Sequence, residues 1–340
     1  SVTVNALPVI SSVTATPATV CSDSPIALTG LSVVNANGTS ALGAGATSSS
    51  STGNSIFPGG WGGAKSQYLI RASELTALGY VAGNITSVAF EPTTSGQTYQ
   101  GFFVSIASTS NTVLTTTFLS NGTQVYAGTL ADNGFTPVAN TVNTLAFGTG
   151  VGSASSFAWD GISNIVLTFS WSRVPSASTS TSSTMKSDTV GFVCGAYRQR
   201  DSFTPAAMLA ETSASSTVSI RPRLTLGGVI ATNLASTYTW SWNSTPAVTT
   251  ATGTTSITNT SGSALNQTFT ATATSAAGCT NSLTTSAVTV NTTIPAPTGT
   301  DSTQCGTATP TCSVVGSGTP GSTFRWYTVS TNGTAISGQT

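Results

Sequence analysis

Only one stretch of this chain, Ser73–Leu78, carries the spacing of a helix, with Ser73 placed to cap it and Gly79 to stop it. Everywhere else that a period can be found, it is two: Val, Ile, Leu or Phe alternating with Ser or Thr in short runs. Such alternation puts the apolar residues on one face of a strand. The turn signals Asn121-Gly122, Asp132-Asn133-Gly134 and Trp159-Asp160-Gly161 fall between these runs. The predicted fold class is all-β, and 340 residues leave room for two or three domains, each with its own core.

Charge narrows the function classes. Charged residues make up 5% of the chain, nine basic and nine acidic, and none lies between Arg223 and Asp301. With no basic face, nucleic acid and anionic membrane surfaces are poor partners. No apolar run is long enough for a bilayer helix, so membrane insertion is not expected either. Histidine is absent, which removes Ser-His-Asp catalysis, His-based zinc sites and the usual general base. The acids are scattered from Asp23 to Asp301 in no paired or Asp-x-Asp-x-Asp pattern, against a glycosidase and against a calcium loop. The expectation is no enzyme, no metal and no other cofactor. The surface must be hydroxyl and amide, and net charge near zero favours self-association.

In chain order, residues 1–8 read as the closing strand of a preceding domain and a linker ended by Pro8. Residues 9–33 open an immunoglobulin-like sandwich with Cys21 between its first strands, but the Trp-bearing strand expected next is missing. It arrives at Ser236–Asn243, followed by alternating runs at Ser256–Thr260, Gln267–Ala273 and Leu283–Val290. The sandwich therefore reads as split, 9–33 plus 229–293. Residues 34–228 form an inserted jelly-roll-like sandwich with strand candidates at Ile85–Phe90, Gly101–Ile106, Val113–Phe118, Gln124–Gly128, Thr141–Phe147, Ile165–Trp171, Gly191–Cys194 and Val218–Leu226. Gly43–Gly63 and Pro175–Ser183 read as loops. Residues 294–340 read as a linker and the start of another immunoglobulin-like domain, with Thr323–Thr328 as its Trp strand, so the whole resembles a piece of a longer array.

Few constellations could carry chemistry. Lys65, Arg71 and Glu74 either line a polar pocket, or Arg71 pairs locally with Glu74 or bonds to loop carbonyls. Arg198, Arg200 and Asp201, with Arg221 and Arg223, form a candidate contact patch for a carboxylate or a glycan if their segments lie side by side, since Arg offers a rigid fork of donors. The bland alternative is edge-strand protection by charge. Tyr238, Trp240 and Trp242 share one strand face. An exposed Trp242 would stack on sugar rings, whereas core packing behind Trp240 is the structural alternative. Asp160 reads as a turn former.

The residues G-A-K-S-Q-Y-L-I-R-A-S-E-L of 63–75, the I-T-S-V-A-F of 85–90, Trp159–Asn164 and the Cys21, Trp240, Cys279 pattern together resemble a β-sandwich module of very large secreted surface proteins and gliding-type adhesins of Bacteroidetes. That resemblance implies export by the type IX route and a place on the cell surface. It supports pairing Cys21 with Cys279. Cys305 and Cys312 are near enough in sequence to pair locally, which leaves Cys194 as a buried apolar residue. One free thiol among five allows fifteen arrangements, and all five reduced is the remaining alternative. Asp188-Thr189-Val190 resembles the Asp-Ser/Thr-apolar sites used there for O-glycosylation, at Thr189. The leading expectation is a non-enzymatic structural or adhesive segment that associates with identical chains into a filament or stalk. The runner-up is a carbohydrate-binding module with a glycan or other cell-surface ligand.

Overall fold

The computed structural model describes residues 4–51, 53–173, 180–293, 298–300, 303, 305–307, 313–315, 325–329, 333, 334 and 336. It is an all-β sandwich fold, as the alternation predicts. Two compact units divide the chain: Ser1–Val33 with Asn233–Thr340, and Val34–Thr232.

The smaller unit takes β1 (Ser12–Thr16), β2 (Thr19–Cys21) and β3 (Ile26–Leu31) from the first segment. The larger unit is built from β4 (Val33–Leu42), β5 (Thr47–Ser49), β6 (Gly63–Ile70), α1 (Ala72–Ala77), β7 (Gly83–Ile85), β8 (Ser87–Phe90), β9 (Phe103–Thr109), β10 (Thr123–Ala127) and β11 (Asn143–Ala146). It continues with β12 (Phe157–Trp159), β13 (Asn164–Ser172), β14 (Met185–Thr189), β15 (Gly195–Arg200), α2 (Pro205–Leu209), β16 (Ser216–Val218), β17 (Ile220–Pro222) and β18 (Leu224–Asn233). The smaller unit resumes with β19 (Thr239–Trp242), β20 (Thr252–Thr255), β21 (Leu265–Gln267), β22 (Thr270–Thr274), β23 (Thr280–Thr284) and β24 (Val288–Asn291). Beyond these, β25 (Thr298–Thr300) and β26 (Ser313–Val315) pair antiparallel with each other.

In the smaller unit β1-β3-β20 form one sheet, and β19-β22-β23 and β21-β24-β2 form two more. Every pairing is antiparallel except β2 with β24, which run parallel in register Val20 to Val290. One core lies between them, built from Ile26, Leu28, Trp240, Trp242, Phe269, Val288 and Val290. Large rings sit beside small neighbours: Trp240 pairs with Ala273 and Trp242 with Ala271. Gly30 is small for the same reason, because a Cβ there would stand 2.6 Å from the Trp240 ring. Three of the expected strands move. Residues 256–260 carry no strand, the ladder being made by β20, the expected 267–273 run is broken into β21 and β22, and the expected 283–290 run into β23 and β24.

In the larger unit a six-stranded sheet, β10-β9-β13-β6-β15-β16, packs its aromatic face on a core shared with the four-stranded sheet β11-β8-β18-β4. The centre of the first sheet is β6, buried along its whole length. Ala64, Tyr68 and Ile70 enter the main core. Leu69, on the opposite face, packs with Leu114, Phe118, Ala196 and Ala214. Residues 113–118, expected as a strand, are instead an irregular segment lying over that second face, where Leu114 and Phe118 are more useful as a cover than as a ladder. The ladder expected at 191–194 begins one step later, at Gly195. The 43–63 loop is also more than a loop. It contains β5, and its Phe57 is fully buried, stacked on Tyr99 at 4.3 Å between ring centres. Helix α1 starts at Ala72, and Arg71 rather than Ser73 takes the capping position, its N–H donating to Glu74 Oε2 at 2.9 Å. Gly79 ends it at φ +87°, a conformation glycine adopts without strain.

Candidate functional site

The densest polar constellation in the larger unit grows from the second face of β6. Strand alternation points Lys65 and Gln67 the same way as Leu69, under the 113–121 segment and α2. Gln67 Nε2 donates to Leu119 O at 2.9 Å and to Thr168 Oγ1 at 3.0 Å, and its Oε1 accepts from Leu119 N at 2.8 Å. Lys65 is 2% exposed; its Nζ donates to Leu209 O and Glu211 O, both at 2.7 Å, and stands 4.7 Å from the Phe118 ring centre. Burial lowers its pKa to about 8, against the pull of the Glu211 carboxylate, which favours the charged form.

Lys65 pairs in register with Arg198 on β15. Glu211 binds the arginines there: Arg200 Nε lies 3.3 Å from its Oε1 and Arg198 Nε 3.9 Å from its Oε2. Glu211, which the sequence reading does not single out, thus draws Arg198 and Arg200 together, Arg200 keeping 40% of its side chain exposed. Asp201 accepts from Gly62 N at 2.8 Å, a loop-fixing role. Arg221 and Arg223 do not join this patch. Arg221, 2% exposed, grips Glu74 and donates to Leu69 O at 3.0 Å. Arg223 and Lys186 share Glu91 at 2.6 and 2.5 Å. Arg71 and Glu74 therefore make no side-chain ion pair with each other. The Arg71 guanidinium bonds to the loop carbonyl of Thr112 and stacks 3.7 Å above Phe192.

Trp242 is not a surface platform. It is 5% exposed, and its Nε1 donates to Thr250 O at 3.0 Å, as a core indole must. The Cys21–Cys279 bridge is likewise absent, both thiols being free. Cys21 lies on β2 opposite Asn291, whereas Cys279 sits in the β22–β23 hairpin turn with its sulfur 4.0 Å from Asn5 O, so the two belong to different sheets. Cys194 is a buried free thiol, its pKa raised to about 11 by burial. Cys305 is exposed, and its expected partner Cys312 lies outside the described residues. Thr189 is exposed at the end of β14, while Asp188 is committed to the backbone N–H groups of Gly45 and Ala44 at 2.9 and 3.1 Å. Asp160 holds the N–H groups of Ile162 and Ser163 and the Ser163 hydroxyl, which lowers its pKa and fixes the turn.

The smaller unit presents two surface features. One is an open groove of about 630 Å³ lined by Asn243, Thr245, Pro246, Ser256, Thr258, Gln267 and Phe269, without a charged side chain. The other is the outer face of β19-β22-β23, where register places Thr239, Thr274 and Thr280 in one row and Ser241, Thr272 and Ser282 in the next. Thr270 and Thr284 continue the pattern, with hydroxyls 2.9 Å apart, and Thr272 and Ser282 are 2.8 Å apart. Among the described residues no group of three or more Cys, Asp or Glu stands where it could hold a metal ion, and no helix is long and apolar enough to cross a membrane. No protein family, no curated protein and no solved structure matches the chain.

Proposed function

We propose that this chain is a non-enzymatic structural and adhesive segment of a secreted bacterial cell-surface protein, whose copies associate into a filament or stalk. The observation that carries the reading is the hydroxyl lattice on β19-β22-β23. Its rows repeat at strand spacing, ~4.8 Å across and ~7 Å along, on an exposed sheet face without a charge. Such a face offers donors and acceptors to a second copy with no like-charge repulsion to overcome. The charged groups of the larger unit support the same reading, since Glu74, Glu91 and Glu211 each pair with arginine or lysine of the same unit. The resemblance noted from the sequence supports surface location and type IX export.

Because few ions would sit at the contact, association should be almost insensitive to salt, although the Debye length shrinks from about 30 Å at 0.01 M to about 3 Å at 1 M. Light scattering and electron microscopy across that series should show multi-chain particles throughout. A monomer at every concentration, or particles that disperse as salt rises, would overturn the reading.

The groove favours a second reading, a site for a neutral glycan, because its lining is amide and hydroxyl with one apolar wall at Pro246 and Phe269. It does so without Trp242. Calorimetric titration with neutral oligosaccharides should then give binding that Asn243→Ala weakens about tenfold, roughly the net worth of one hydrogen bond. Absence of heat with every oligosaccharide tested would remove this second reading.

A further inference from the structure

The second face of β6 holds a buried amine that shares its acceptor with a half-buried carboxamide. Asn121 opens the turn before β10, and its Oδ1 is buried without a hydrogen-bond partner. Its Nδ2 donates to Leu209 O at 2.9 Å, the same oxygen that accepts from Lys65 Nζ at 2.7 Å. One acceptor thus confines amine and carboxamide to within two hydrogen-bond lengths of each other. The Phe118 ring closes one side of the amine, and the Glu211 main chain holds it from another.

We propose that Lys65 and Asn121 become joined by an isopeptide bond from Nζ to Cγ. The step is a transamidation and needs no oxidant or second reactant. Neutral Nζ attacks Cγ, the electron pair of the carbonyl moves to Oδ1, and the tetrahedral centre then expels Nδ2. One proton passes from Nζ to Nδ2 within that centre, so that ammonia leaves and a secondary amide remains. Burial supports the step twice. It excludes water that would hydrolyse the centre, and it lowers the lysine pKa to about 8, so that neutral amine is present near pH 7. The charged groups facing Lys65 are Glu211 and, across the β6–β15 register, Arg198, with Arg200 reaching it only through Glu211. Residues 112–121 and α2 bring none. The bond would tie the central strand of the main sheet covalently to the turn before β10, and it stands apart from the proposed surface role.

Mass spectrometry of the intact full chain tests this. The expected mass is lower than that of the sequence by one ammonia, and digestion after denaturation should yield a branched peptide linking Lys65 to Asn121 with cleavage after Lys65 lost. Asn121→Ala should restore the sequence mass while its far-UV circular dichroism shows it folded. An unmodified wild-type mass with a linear Lys65 peptide would overturn the proposal. So would a mass raised by deamidation at Asn121-Gly122, since the carboxamide would then have reacted with its own backbone instead.

Discussion

Replacing Glu74 by alanine is expected to destabilise the larger unit by about 3–5 kcal/mol, the cost of leaving a buried charge without its partner. The charge is that of Arg221, 2% exposed, whose two terminal nitrogens both reach the Glu74 carboxylate. Its remaining acceptor is Leu69 O, on the central strand, and its Nε has no partner. Glu74 also receives the N–H of Arg71 at the start of α1, so the same substitution removes a helix cap worth about 1 kcal/mol. Glu74→Gln should lose less, because the amide keeps one oxygen acceptor in place. The double variant Glu74→Ala with Arg221→Met should recover part of the loss, since it removes the stranded charge along with its partner. Denaturant unfolding of the three variants measures this. A loss under about 1 kcal/mol for Glu74→Ala would mean that water reaches Arg221 and that the pair behaves as a surface pair.

That pair also shows what a sequence can and cannot tell. The partners lie 147 positions apart, and nothing in either neighbourhood announces the other, whereas Arg71 stands three residues from Glu74 and looks like the partner. Local spacing ranks nearby charges first, and tertiary packing overrides it. The strand β6 was hidden for a related reason. Half-buried strands alternate, but a strand covered on both faces need not, and Lys65, Ser66 and Gln67 interrupt what would otherwise be an apolar run. Phe57 was hidden among glycines and serines whose composition signals a loop, yet one aromatic ring sufficed to pin that segment into the core. What could be read were positions where chemistry and neighbours agree. The all-β class follows from alternation, Asp160 from its turn, and the core position of Trp240 from its place as the Trp of an immunoglobulin-like strand. Of the contact patch, Arg198 and Arg200 were legible as a concentration of charge. Glu211 was not, because it lies beyond α2 and joins them only by folding. A cysteine, likewise, reveals its residue type but not the sheet it lands on, and Cys21 and Cys279 land on different ones.

Raising the pH is expected to unfold the larger unit cooperatively while neutral and mildly alkaline solution leaves it intact. The chain has no histidine, so little titrates between about pH 5 and 8 apart from a chain terminus. Above that, the buried groups act in opposite directions. Lys65 has a depressed pKa of about 8, so the unfolded chain binds its proton more tightly, and this group adds stability as pH rises from about 8 to 10.5. If the bond to Asn121 has formed, that contribution vanishes. Cys194 and Tyr68, Tyr80, Tyr99 and Tyr126 are all pushed up by burial, so each keeps its proton in the fold after the unfolded chain has released it. Their contribution is complete below the unfolded values of 9.0 for cysteine and 10.0 for tyrosine, and it is lost as pH climbs beyond them. Each such group costs about 1.4 kcal/mol per pH unit, so Tyr68 and Tyr99 together remove about 3 kcal/mol per unit above pH 10. At that rate a stability of about 5 kcal/mol, the low end of the usual ~5–15 kcal/mol, is used up near pH 12, and the larger unit should be lost at about pH 12 or above. The tyrosinate absorbance should rise in the same transition, because Tyr68 and Tyr99 ionise only when their hydrogen bonds to Gly53 O and Thr181 O open. The smaller unit carries no charged residue from 233 to 293, and its Trp240 and Trp242 fluorescence should change in a separate step. Tyrosines that all titrate near pH 10 while the β-sheet circular dichroism persists would contradict the burial of Tyr68 and Tyr99 and, with it, the aromatic core around Phe57 that holds the main sheet.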